Sequence, residues 1–125
     1  MAGEQILVVD DDEKNMKLFR DVLQATGYRT LEATTGGDAV RLATDQAPAL
    51  VLMDIRLPDI DGLEALRRLR SAERTASIPV LAVTAQAMKG DRERFIEAGF
   101  DGYLSKPVDV DELLDYVSRF TGAGR

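Results

Sequence analysis

Apolar and polar residues follow two alternating patterns along the chain: short continuous apolar runs, and longer segments with an apolar residue every three or four positions. The short runs predict buried strands, and they cover residues 6–9, 30–33, 49–53, 78–83 and 102–104. The longer segments predict amphipathic helices. These helices carry Met16 and Phe19, residues 37–46, Leu63 and Leu66, residues 88–98, and Leu113 and Val117. Gly27 and Gly99 are placed to end the first and fourth helices, and Asp109 to cap the fifth.

The regular alternation of five strands and five helices predicts an α/β fold. Repeated strand–helix units favour a parallel sheet covered by helices on both faces. The length of 125 residues suits one domain, and no linker or low-complexity tract divides it. We therefore expect a single domain over residues 1–125 with no output domain.

Composition excludes several kinds of chemistry. The chain has no cysteine and no histidine, so disulfides, thiolate or imidazole metal sites and a phosphohistidine of its own are ruled out. A bound metal would need oxygen ligands, which suits Mg²⁺, Mn²⁺ or Ca²⁺. The net charge of -6 argues against nonspecific nucleic-acid binding. No apolar run approaches the roughly 20 residues of a membrane span, and no signal peptide is visible, so we expect a cytoplasmic protein.

Polar residues directly follow four of the predicted strands. They are Asp10, Asp11 and Asp12, then Asp54, then Thr84, then Ser105 and Lys106. The carboxyl ends of parallel strands share one edge of the sheet, where ligands bind in open α/β folds. Two carboxylates about 4 Å apart repel by roughly 4 kcal/mol at a dielectric constant near 20, so this edge must face water or bind a cation. A carboxylate nucleophile, a divalent cation, a hydroxyl and an ammonium suit phosphoryl transfer.

Five motifs in a fixed order give this pattern a family resemblance. They are VDD at residues 9–11, LMDI at 52–55, LPDIDG at 57–62, VTA at 83–85 and YLSKP at 103–107. With them, the chain resembles the receiver domain of two-component response regulators, the CheY-like family. Residues 15–19 and 87–91 further resemble stand-alone DivK-type cell-cycle receivers. The resemblance implies a flavodoxin-like, doubly wound parallel sheet of strand order 2-1-3-4-5 with five helices.

The resemblance also implies a phosphorylation site and its metal. Asp54 matches the phosphoacceptor. Asp10, Asp11, Asp54 and the backbone carbonyl of Arg56 match the positions that hold Mg²⁺, with Mn²⁺ as the alternative ion. The side chains of Arg56 and Gln86 lie where residues of this family overhang the site, and their role stays open.

Two further parts of the family mechanism match residues near the carboxyl end of the chain. Lys106 matches the lysine that pairs with the phosphoryl group, and its bond to Pro107 is expected to be cis. Thr84 and Tyr103 match the switch pair, in which the hydroxyl turns toward the phosphoryl group and the aromatic ring changes its packing.

The function implied is that of a single-domain response regulator. It would accept a phosphoryl group on Asp54 from a histidine kinase or a histidine phosphotransfer protein. It would then signal through protein contacts, as a monomer or weak dimer, to a target that the sequence does not identify. It is a phosphoacceptor rather than an enzyme, with no nucleic-acid or membrane partner expected.

Two alternatives remain, and some of the charged residues have simpler interpretations. A pseudo-receiver that only binds partners would usually lack an acid or the lysine, and none is missing here. An aspartyl phosphatase would carry D-x-D-x-T, whereas residues 10–14 read DDDEK.

Asp12 alone fits a helix cap, Asp59 and Asp61 fit the shaping of a turn, and Arg70 fits a solvated helix face.

Overall fold

A computed structural model gives the fold, and it describes residues 3–85 and 89–121. The strands are β1 Gln5–Val9, β2 Arg29–Ala33, β3 Leu50–Asp54, β4 Val80–Thr84 and β5 Gly102–Ser105. The helices are α1 Glu13–Ala25, α2 Gly36–Gln46, α3 Gly62–Ser71, α4 Asp91–Ala98 and α5 Val110–Thr121. Each predicted element is present, but β4 begins two residues later than predicted, after Pro79. The predicted start of α4 at residue 88 lies outside the described residues.

The five strands form one parallel sheet in the order β2-β1-β3-β4-β5, which confirms the predicted flavodoxin-like topology. In its centre, Leu7 pairs with Leu31 on one side and with Val51 on the other. The chain reverses its winding direction between β1 and β3, so connections leave these two strands toward opposite faces. Such a reversal opens a crevice beyond the carboxyl ends of the two strands.

Two hydrophobic clusters cover the two faces of the sheet, as the doubly wound fold requires. Because side chains alternate along a strand, Leu7 and Val9 contribute to one cluster and Ile6 and Val8 to the other. The first cluster includes residues of α2, α3 and α4, and the second includes residues of α1 and α5. All five residues of β3 are buried, so the strand that ends at Asp54 is fixed from both sides.

Polar side chains cap the helices that begin near the crevice. Asp12 caps α1 by accepting a hydrogen bond from the Lys14 N–H at 2.9 Å. Asp61 caps α3, and Asp109 accepts from two backbone N–H groups at the start of α5.

Within the described part of the chain, no helix is long and apolar enough to cross a lipid bilayer.

The sequence-based interpretation of Arg70 as a solvated residue was wrong. Its guanidinium donates to the carbonyl oxygens of Ile78 and Gly99 and to Asp101, at distances of 2.7, 3.1 and 2.9 Å. Only 27% of its side chain is exposed. Arg70 therefore joins the end of α3 to the loops before β4 and β5, at the edge of the sheet opposite the crevice.

Candidate functional site

The polar residues that follow the strands lie together at the carboxyl edge of the sheet. Asp10 is 1% exposed, and Asp54 and Thr84 are each 5% exposed. The backbone holds their positions: the Asp10 N–H donates to the Ala33 carbonyl, and the Lys106 N–H donates to the Thr84 carbonyl at 2.8 Å. The side chains of these strand ends consequently face the crevice from adjacent strands.

Three carboxylates form the centre of the site. One oxygen each of Asp10, Asp11 and Asp54 lies within 4.8 Å of the others. Asp10 Oδ1 accepts from the Asp12 N–H at 2.9 Å, and Asp54 Oδ1 accepts from the Arg56 N–H at 3.1 Å. Each buried acid thus has one oxygen held by the backbone and the other directed at Lys106.

Lys106 supplies the positive charge of the site. Its Nζ lies 3.0 Å from Asp10 Oδ2 and 3.2 Å from Asp54 Oδ2, and it donates a hydrogen bond to Asp54. Burial lowers the pKa of Lys106, but its contacts with Asp10 and Asp54 outweigh that effect, and the net pKa is raised. The lysine is therefore protonated at neutral pH.

The electrostatics of Asp54 differ from those of an ordinary surface aspartate. Burial raises the pKa of its carboxyl group, against the opposing effects of the Arg56 N–H and the Lys106 charge. The nearby charge of Asp10 raises it further. Ionised Asp54 is thus disfavoured in the folded protein, and a cation at the crevice would relieve that unfavourable energy.

A hard divalent cation fits this arrangement of ligands. Asp10 Oδ2 is buried and lies 3.0 Å from Lys106 Nζ. Lys106 supplies one positive charge among three acids, so a further cation would lower the repulsion that remains between them. Three carboxylate oxygens within 4.8 Å of one another match the oxygen ligands that Mg²⁺ prefers. The contribution of the Arg56 carbonyl stays a prediction.

Tyr103 lies away from the acids, under α4. Its side chain is 8% exposed, and its ring stacks on Phe95 with centroids 5.8 Å apart. The hydroxyl is buried without a hydrogen-bond partner among the described residues. Burial raises the pKa of Tyr103, and the charge of Asp91 adds to the effect. The ring therefore lies in an inward position, while its predicted switch role stays a prediction.

The remaining predicted residues are placed as follows. The peptide bond between Lys106 and Pro107 is cis. Gln86 lies outside the described residues. Asp59, which the sequence analysis assigned to its own turn, accepts from Ile60 in that turn and also contacts the start of α2. No local sequence signal reveals this contact, because the backbone groups that it binds lie 22 and 23 residues earlier.

Comparison with known proteins identifies the family to which this site corresponds. Residues 6–118 match the sequence model of the response regulator receiver domain. The polar-differentiation response regulator DivK of Brucella ovis is 44% identical over 119 residues, which cover 95% of this chain and 97% of that protein. DivK of Brucella anthropi is 43% identical over the same shares of the two chains.

Solved structures give the same result. The receiver domain of a sensor histidine kinase from Pseudomonas aeruginosa is 40% identical, with a TM-score of 0.88 over 97% of this chain and 99% of that one. Its crystal structure contains a magnesium ion coordinated in the active site cleft. A CheY-like receiver domain from Methanospirillum hungatei is 28% identical, with a TM-score of 0.86 over 98% of this chain and 96% of that one.

Proposed function

Because the chain belongs to the response regulator receiver family, we propose that it accepts a phosphoryl group on Asp54 from the phosphohistidine of a partner protein. The donor would be a histidine kinase or a histidine phosphotransfer protein, since this chain has no histidine. The exchange is proposed to occur in the cytoplasm. The function is that of a single-domain, DivK-like response regulator.

The position of Asp54 is the single observation that carries the proposal. Its carboxylate lies at the end of the central strand β3, within a cluster of three acids and 3.2 Å from Lys106. An oxygen of Asp54 would attack phosphorus as the bond from phosphorus to the histidine nitrogen breaks. The histidine nitrogen keeps the electron pair of that bond, and the product is an acyl phosphate on Asp54.

The charges of the site suit this transfer. Asp10, Asp11, Asp54 and the Arg56 carbonyl would hold Mg²⁺, which when bound supplies positive charge to the phosphoryl oxygens. Lys106 would turn its ammonium from Asp10 and Asp54 toward another phosphoryl oxygen. Its short distances to both acids show that it reaches the centre of the site. Asp10 and Asp11 would also repel phosphate in the absence of a cation, which makes the transfer dependent on metal.

Signal output would follow from Thr84 and Tyr103. The Thr84 hydroxyl would donate to the phosphoryl group, and Tyr103 would change its packing against Phe95 as Thr84 moves. Such a change is a shift between two populated arrangements, biased by the phosphoryl group. The surface altered by it would contact a downstream protein.

The test is intact mass spectrometry after incubation with a divalent cation and acetyl phosphate. Wild type should gain one labile phosphoryl group, and both Asp54→Asn and EDTA should abolish it. Asp115→Asn, at an exposed aspartate of α5, is the matched control and should still be phosphorylated. If wild type gains no phosphoryl group from acetyl phosphate or from a phosphohistidine protein, the proposal is wrong and a pseudo-receiver function is favoured.

A further inference from the structure

The loop that follows Asp54, residues 55–61, is joined at Asp59 to the start of helix α2. Asp59 Oδ1 accepts from the Gly36 N–H at 2.8 Å, and Oδ2 accepts from the Gly37 N–H at 2.9 Å. These N–H groups belong to the first turn of α2 and have no acceptor within the helix. One carboxylate therefore binds the helix with both oxygens and ties the loop to it.

The two glycines make this close approach possible. A Cβ atom at Gly36 would clash with Ile60 Cγ1 and would lie 3.1 Å from the Ile60 carbonyl oxygen. A Cβ atom at Gly37 would lie 3.2 Å from Asp59 Oδ2. A side chain at Gly36 would push Ile60 away from α2, and one at Gly37 would crowd the Asp59 carboxylate, so the contact depends on residues of both segments.

The same loop is also tied to the phosphorylation site at its other end. The Arg56 N–H donates to Asp54 Oδ1 at 3.1 Å, and the Gly62 N–H donates to the Ile55 carbonyl at 2.8 Å.

Hydrogen bonds from Gly37, Ile60 and Gly36 lower the pKa of Asp59 to about 2. The carboxylate is therefore ionised throughout the neutral range, which suits its contacts with these N–H donors.

We propose that Asp59 is a positioning residue for the phosphorylation site. By fixing the middle of residues 55–61 on α2, it holds the Arg56 backbone where its N–H meets Asp54 and its carbonyl can face Mg²⁺. Asp59 touches neither the metal nor the phosphoryl group and acts only through the loop. The inference rests on the proposed function, because the direction of the Arg56 carbonyl matters only if the site binds a cation.

Two variants and a matched control test the inference. Asp59→Ala removes both acceptors, and Asp59→Asn retains one carbonyl oxygen. Thr35→Ala is the control, because the Thr35 hydroxyl caps α2 by accepting from the Asp38 N–H at 3.1 Å, a hydrogen bond within the helix start rather than to the loop. Magnesium affinity is measured by calorimetric titration of MgCl₂, and amide hydrogen exchange of Arg56 and Gly62 is measured by NMR in the metal-free protein.

We expect Asp59→Ala to weaken Mg²⁺ binding roughly tenfold, as for other groups that orient metal ligands. Asp59→Asn should give an intermediate affinity. Exchange at Arg56 and Gly62 should be faster in Asp59→Ala than in Thr35→Ala, at conditions where the two variants are equally stable. Thr35→Ala should keep the Mg²⁺ affinity of wild type.

Two results would overturn the inference. One is a Mg²⁺ affinity that is the same in Asp59→Ala and Thr35→Ala, and the other is equal exchange at Arg56 in those two variants. Wild type serves as the test of the proposed function in the same experiment. If wild type bound no Mg²⁺, the proposed function would fail, whereas the exchange rates would still show whether Asp59 fixes the loop.

Discussion

Replacing Lys106 by methionine removes the only cation that the described residues place between Asp10 and Asp54, while keeping an unbranched side chain. The ammonium lies 3.0 and 3.2 Å from the two carboxylates. At an effective dielectric constant of about 20, each contact is an attraction of roughly 5 kcal/mol. The lysine is largely buried, with 14% of its side chain exposed, so solvent screens these contacts only in part.

The three acids repel one another by a comparable amount. Carboxylate oxygens within 4.8 Å of each other repel by at least about 3.5 kcal/mol per pair at the same dielectric constant. Three such pairs give roughly 10 kcal/mol, which the two contacts of Lys106 approximately offset. Without the lysine, the acids would turn toward water or take up a proton. The measured loss should therefore be smaller, about 3–5 kcal/mol, as when one partner of a buried ion pair is removed.

The assay is urea unfolding followed by far-ultraviolet circular dichroism at neutral pH, in EDTA and in millimolar MgCl₂. Lys106→Met should lose about 3–5 kcal/mol in EDTA. Mg²⁺ should restore most of this loss, because it places positive charge among the same acids. It should consequently stabilise the variant more than it stabilises wild type.

Lys17→Met is the matched control, because Lys17 pairs with Asp21 on the exposed surface of α1 with 66% of its side chain accessible. Because solvent screens that exposed pair, Lys17→Met should change stability very little. Two results would refute the reasoning: a loss in Lys106→Met no larger than in the control, or an equal Mg²⁺ effect on wild type and Lys106→Met.

Three other substitutions give simpler expectations. Asp54→Asn should stabilise the metal-free protein in urea unfolding at neutral pH, since burial disfavours the ionised carboxyl group of Asp54. A destabilised variant would contradict this. Hydrogen bonds from Arg67 and Arg68 lower the pKa of Glu64 from 4.5 to about 2. The ionised Glu64 therefore stabilises the fold fully above pH 4.5, and this stabilisation is lost as the pH falls to about 2. The difference in unfolding free energy between wild type and Glu64→Gln should shrink over that pH range, and a constant difference would contradict the prediction. Ala47 ends α2 with φ +47°, a conformation that is unfavourable for alanine; Ala47→Gly should raise stability by about 1 kcal/mol in thermal unfolding, whereas no gain would show that the site is unstrained.

The sequence by itself determined the order of strands and helices, the parallel character of the sheet and the edge at which the candidate site lies. Strands such as residues 6–9 and 49–53 were recognisable because continuous apolar runs are buried on both faces of a parallel sheet. Asp54 and Lys106 were found because strand ends share one edge, so a one-dimensional pattern fixes their approximate position. The strand order came from the family resemblance, and the sheet confirms it.

Only the tertiary structure decided which groups bind one another across distant segments. Arg70 was taken for a solvated residue because its position on α3 says nothing about the carbonyls of Ile78 and Gly99 that surround it. Asp59 was assigned to a turn because its partners, Gly36 and Gly37, precede it by more than 20 residues. Local patterns report burial and backbone preference, which act over a few residues. A hydrogen bond or ion pair depends instead on distances of a few ångströms that arise once the helices have packed onto the sheet.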